Sequence, residues 1–171
     1  MLQFTAESNG STRASARIFS GVVRFSVLCA ISLVVLCGCA GKTLPPAVLA
    51  THIQVFGIQM HSAVDYRELS GVVGEEEPCL HGYERSFAAL QVSVGYGFDR
   101  KIRKIITRNP TNSLFGIRPG MTLAEAAGFA AAAGFSAERH YPNMFRNGAY
   151  LLAVTVDREE RVAGMSLEFI D

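Results

Sequence analysis

The sequence predicts an α+β fold of two tandem repeats, each a helix packed on a small antiparallel β-sheet, behind an apolar leader. Three observations predict it. An uncharged apolar run near the N-terminus ends at a cysteine. A capping-box pattern opens an alanine-rich stretch in the second half. Between residues 51 and 171 the chain repeats itself in order, at an interval of about 60 residues.

The leader comes first. Arg13, Arg17 and Arg24 make a positive region, and Phe25 to Cys37 reads FSVLCAISLVVLC, with no charge. These 13 residues fit the apolar core of a signal peptide. They fall short of the roughly 20 that a spanning helix needs. Even the uncharged stretch from Phe25 to Gly41 is barely long enough to cross a bilayer uncleaved. Leu36-Cys37-Gly38-Cys39 resembles the lipobox of bacterial lipoproteins, in which the chain is cut before a cysteine whose sulfur is acylated. The resemblance implies a lipoprotein signal peptide at 1–38, lipidation at Cys39, and a lipidated N-terminus and linker at 39–50. It places the mature chain in the bacterial cell envelope, membrane-anchored and extracytoplasmic. Each buried methylene contributes about 0.8 kcal/mol, so two or three acyl chains anchor stably. Ala40 carries no acidic retention signal, which leaves plasma membrane and outer membrane both open. Lys42 to Ala50, with Pro45-Pro46, reads as an extended spacer.

The leader also distorts the composition. The whole chain has net charge +1 and mean hydropathy +0.23. Without residues 1–38 the balance is 13 basic against 14 acidic residues. Such near-neutrality gives no argument for a nucleic-acid partner. Cys29 and Cys37 leave with the leader and Cys39 is blocked by lipid, so Cys79 alone remains. No intramolecular disulfide framework follows, and Cys79 reads as a small apolar residue in a partly buried loop.

The repeat is legible in five matches. Phe56-Gly57-Ile58-Gln59 recurs as Phe115-Gly116-Ile117-Arg118. Ser62 and Asp65 correspond to Thr122 and Glu125, and Gly74 to Gly134. Strand-like runs follow at Leu90–Asp99 and Tyr150–Asp157, and return as Ile102–Asn109 and Val162–Ile170. The first repeat is set at 51–111 and the second at 112–171. Thr122-x-x-Glu125 is a capping box, with Met121 at the staple position. It starts a helix over Leu123–Ala133, so apolar that it is expected to be covered on much of its circumference, with Phe129 as its large knob. Gly134 stops it. Ser62-x-x-Asp65 is the weaker copy, predicting a helix up to Gly74 with Val64, Leu69, Val72 and Val73 inside. Alternation puts Val92, Val94, Tyr96 and Phe98 on one strand face, and Leu152, Val154 and Val156 on another. Arg146-Asn147-Gly148 is a hairpin signal.

Gly116 to Glu125, a helix to Gly134 and hairpins with Asp157 at a turn resemble a small extracytoplasmic superfamily. It includes the BamE (SmpA/OmlA) lipoproteins and the tandem-repeat β-lactamase inhibitory proteins. The second repeat fits the Gly-Met-Thr turn of that pattern. The first departs from it, with Met60-His61-Ser62. The resemblance implies a binding or envelope-assembly role with a protein partner, without catalysis. The alternative is an inhibitor or ligand-binding module acting on an extracytoplasmic enzyme or cell-wall component. An exposed cluster of Tyr83, Tyr96, Phe98 and Tyr141 is the feature that would favour that alternative.

No catalytic or cofactor-binding set can be assembled from the residues. His52, His61, His81 and His140 are scattered. Cys79 and His81 behind Glu75-Glu76-Glu77 have metal-ligand chemistry, but three adjacent carboxylates read as a solvated loop, and no metal is expected. Arg100, Lys101, Arg103 and Lys104 flank a turn, with Arg108 beyond. This basic run touches anionic headgroups or, as the plainer reading, protects an edge strand.

Overall fold

The computed structural model describes residues 45–170. The leader, Cys39 and most of the linker lie outside the described residues. Pro46–His52 forms helix α1, followed by β1 (Ile53–Gln54), β2 (Glu68–Leu69), β3 (Val72–Val73), β4 (Glu75–Cys79) and β5 (Gly82–Phe87). A 3-10 turn at Ala88–Leu90 leads to β6 (Val92–Gly97), β7 (Ile102–Thr107) and β8 (Ser113–Leu114). Helix α2 (Leu123–Ala132) precedes β9 (Ser136–Glu138), β10 (Tyr141–Asn147), β11 (Tyr150–Val156) and β12 (Val162–Phe169).

Eight strands form one antiparallel sheet, in the order β4-β5-β6-β7-β12-β11-β10-β9. This corrects the expected architecture of two helix-plus-sheet repeats. The protein is mostly β, its two sheets are fused into one, and no helix forms where the first repeat predicts it. The reason lies in residues 62–74. Ser70 and Gly71 both adopt positive φ, 48° and 80°, and turn the chain into the tiny β2–β3 hairpin. Ser62 does not cap a helix. Its Oγ accepts the Val64 amide two residues on, a local turn that competes with helix. β-branched Val64, Val72 and Val73 add little helix propensity to offset this.

The second repeat behaves as its sequence predicts at the helix. The Thr122 amide donates to Glu125 Oε2 at 2.8 Å, and the Glu125 amide donates to Thr122 Oγ1 at 3.2 Å. Gly134, at φ +84°, ends α2, and the Phe135 amide donates to the Ala130 carbonyl at 2.9 Å. The helix is less covered than expected. Only Ala126 and Ala130 are buried, and Phe129 is 43% exposed. Small alanines let α2 lie close over β9, β10 and β11. The expected spacer also differs. Residues 46–52 are helical, and Leu49 is buried in the core.

The inner face of the sheet carries the core. Phe87, Val92, Val94, Tyr96, Ile105, Met165, Leu167, Leu152, Val154 and Phe145 line it, all buried. Burying each large apolar side chain contributes about 1.5–3 kcal/mol. Over β9–β11 this face is covered by α2. The remainder of the core is filled by Leu49, Ile53, Val55, Ile58, Met60, Leu69, Leu114 and Ile117 from α1, the β1–β8 pair and the irregular segment before β4.

Some of the matches read in the sequence recur as local features of the strands and turns. β7 and β12, the last strand of each half, pair at the centre with Ile106 opposite Ser166, 60 residues on. Gln54 faces Ser113, 59 residues on, in the β1–β8 pair. Phe56 and Gly57 have positive φ, as do Phe115 and Gly116. A register shift falls at Gly95/Tyr96 and again at Thr155/Val156. The two turn aspartates are not equivalent, however. Gly97 opens its turn where Asp157 opens the other, since the Gly97 and Asp157 amides donate to Lys101 and Arg161.

Candidate functional site

Two surfaces stand out, the face of the sheet that no described residues cover and one of its ends. Alternation directs Glu84, Ser86, Ser93, Lys104, Ile106, Ser166, Glu168, Leu151, Ala153 and Met144 away from the core. All of these side chains keep contact with solvent. The floor they make is low, because serine, alanine and bare Gly95 and Gly164 occupy its centre. A Cβ at Gly95 would sit 2.9 Å from Lys104 Cβ, and one at Gly164 would sit 2.7 Å from Arg108 Cγ. Long side chains lean over these glycines. An open groove of about 630 Å³ lies on this face at the β5–β6 turn, lined by Glu84, Ser86, Gln91, Ser93, Ile106 and Arg108. In it the Ser86 and Ser93 hydroxyls share a hydrogen bond of 3.0 Å. Lys104 pairs with Glu168 at 3.3 Å and Arg146 with Glu138 at 2.6 Å, whereas Glu75, Glu77 and Glu84 have no ion-pair partner among the described residues.

At one end of the sheet the β4–β5 and β6–β7 turns lie side by side, since Gly82 faces Gly97. Just behind them, on the inner side, is a polar network. Arg85 is 7% exposed and its guanidinium is clasped by Asp65 at 3.0 Å and by Glu76. Its Nε is buried without a partner. Tyr83 stacks on Tyr96, ring centroids 4.6 Å apart, and lies under the Arg85 guanidinium. Burial pushes the Tyr96 phenol up to about 12, against the lowering effect of the Tyr66 amide that donates to its oxygen. Burial and then the Asp65 charge also raise Tyr83. A polar cleft of about 310 Å³ opens here, between Asp65, Arg67, Tyr83, Phe98 and Arg100.

The residues singled out in the sequence are mostly dispersed. Cys79 is exposed at the end of β4, an edge strand, and His81 is exposed in the following turn. Glu76 turns inward to Arg85, while Glu75 and Glu77 face outward. Residues 75–79 are therefore a strand, not the expected solvated loop. His52 stacks on Phe115, His61 Nε2 hydrogen-bonds the Tyr150 hydroxyl at 2.8 Å, and His140 is exposed in the β9–β10 turn. Among the described residues no three His, Cys, Asp or Glu side chains converge. Tyr96 is buried and stacked on half-buried Tyr83, while Phe98 is exposed in the β6–β7 turn and Tyr141 is exposed at the start of β10, so the four do not form one exposed aromatic cluster. The basic run does not protect an edge. β7 is paired on both sides, and the edges are β4 and β9. On β4 the guard is Glu75-Glu76-Glu77-Pro78 itself.

Arg85 and Asp65 are the functional-looking pair that sequence reasoning passes over. The signal was the alternation Tyr83-x-Arg85-x-Phe87, which puts a charge at a core position. Among the described residues no helix is long and apolar enough to cross a membrane. No family model, no curated protein and no solved structure matches the chain.

Proposed function

We propose that this chain is a lipid-anchored, extracytoplasmic binding or envelope-assembly factor that works by presenting its open sheet face to a protein partner. One observation carries the binding part, namely the uncovered outer face of an eight-stranded sheet with a small-residue floor and a groove. Antiparallel sheets often keep one face solvated, so the low floor and the groove are what support reading this face as a docking surface. The lipobox-like sequence at Cys39 carries the tether, and the resemblance to BamE-like lipoproteins supports the same reading. The chemistry of the groove supports recognition, with the Ser86 and Ser93 hydroxyls bonded to each other and Glu84 and Arg108 at its sides as charged contacts for a partner.

Two experiments test it. Photo-crosslinking amino acids at Ser93 and Ser166 should give one discrete protein adduct in intact envelopes, lost when Ser86→Arg fills the groove, whereas Glu159 in the β11–β12 turn gives none. Equal yields at all three positions would defeat the docking face. Cys39→Ser should abolish lipid labelling and membrane retention, and a variant that still fractionates with membranes removes the tether.

A further inference from the structure

The sheet has two unlike ends. At the β11–β12 end the turn carries Asp157, Arg158, Glu159, Glu160 and Arg161, with no large apolar side chain. At the opposite end Leu80 is 83% exposed and Phe98 is 81% exposed, in turns whose flanking strands pair directly. Val64, 52% exposed, precedes Asp65, which lines the same cleft as Phe98 and Arg100. Val73 and Tyr141 are also exposed, toward the other end of the sheet, but Leu80 and Phe98 are the two most exposed large apolar side chains among the described residues, and they sit in neighbouring turns.

In the turns themselves the charge left over is positive. Asp65 and Glu76 are neutralised by Arg85, with Arg67 also on Asp65 at 3.2 Å. Asp99 pairs with Arg103 at 2.8 Å, which together with the Lys101 amide holds its carboxyl below the usual range. Arg100 and Lys101 have no ion pair among the described residues and stay exposed. Glu77 and Glu84 lie two residues inward from the turn, on the outer face of the sheet. Apolar tips beside surplus cations are the complement of an anionic bilayer surface. Cations meet headgroups while the tips enter the acyl boundary.

We propose that the β4–β5 and β6–β7 turns form a membrane-docking edge, with Leu80 and Phe98 inserting and Arg100 and Lys101 binding anionic lipid headgroups. This deepens the membrane-tethered reading, on which it rests for the presence of a bilayer. Docking by this edge stands the sheet upright on the membrane. Its groove then opens sideways, and the acidic β11–β12 turn points away from the surface.

The chain contains no tryptophan, so Phe98→Trp installs a single fluorescent reporter at the tip. The full chain carrying it is mixed with vesicles of phosphatidylglycerol and phosphatidylcholine. A blue shift and quenching by brominated acyl chains are expected at position 98. Arg158→Trp, at the other end, should show neither. Adding Arg100→Gln and Lys101→Gln should lower the inserted fraction about tenfold or more. Sedimentation with vesicles is read in parallel, because the N-terminal segment binds them regardless of the edge. A chain that sediments while the indole at 98 stays in water overturns the proposal and leaves the tether standing. So does an equal shift at 158, or one as large on phosphatidylcholine alone.

Discussion

Removing the two carboxylates around Arg85 should cost more than removing Arg85 itself. The guanidinium is 7% exposed, with Asp65 Oδ1 at 3.0 Å and Glu76 beside it. At an effective dielectric near 20, the Asp65 contact has a gross Coulomb energy of about 5 kcal/mol. Most of that is offset by desolvation of Arg85 and by the partial exposure of both acids. Asp65→Asn or Glu76→Gln alone should therefore cost about 1–2 kcal/mol, and the pair about 3–4 kcal/mol, since a buried cation is then left unpaired. Arg85→Met fills the same space with an apolar chain. It also removes the buried Nε that has no partner, a group that costs about 1–3 kcal/mol. That variant should lie within about 1 kcal/mol of the parent, on either side. Urea unfolding of the parent and the four variants, with m-values unchanged, reads the differences. If Arg85→Met proves less stable than Asp65→Asn/Glu76→Gln, the network is a net source of stability and the reasoning fails.

Other consequences are separable. Gly82→Ala should break the β5–β6 pairing and unfold that half of the sheet, because a Cβ there would lie 2.0 Å from the Tyr96 carbonyl oxygen, and amide exchange would show it. Thr122→Ala should lower stability by about 1 kcal/mol through loss of the cap, with Glu125→Gln less costly, measured by thermal unfolding. Tyr96 has a folded-state pKa raised from 10.0 to about 12 by burial, so its contribution is whole below pH 10 and is lost as pH rises through about 12. Tyr96→Phe should flatten that alkaline loss, and an unchanged slope would assign it elsewhere.

How much of this was legible depends on whether the signal was local. The capping box, the Gly134 stop and the Asn147-Gly148 hairpin depend on neighbours within four residues, and each formed as read. Strand alternation in β6 and β11 was equally plain, and Phe98 departs from it only because it lies in the turn. The missing first helix was not legible by analogy. Its weakened cap at Ser62 and the Ser70-Gly71 turn were present in the sequence, but the second repeat invited the same reading for both. Glu75–Cys79 looked like a loop because edge strands borrow the polar composition of loops. The fusion of two sheets into one is a long-range pairing, β7 with β12, and no local pattern specifies it. Arg85 escaped notice for a related reason, since its acids come from a distant segment, Asp65, and a strand, Glu76.

The central seam between β7 and β12 has a bearing on how the chain is made. Synthesis completes β7 some 55 residues before it reaches β12, which ends the described chain. Through that interval the first four-stranded meander carries an open edge at Ile102–Thr107, with Ile105 and Thr107 awaiting Leu167 and Met165. β4 is guarded by charge and proline along its length, whereas β7 depends on the strand that arrives last. The sheet is therefore sealed from its middle, not its rim. The nascent first half is the state in which a chaperone, or a mispaired second copy, finds backbone to bind.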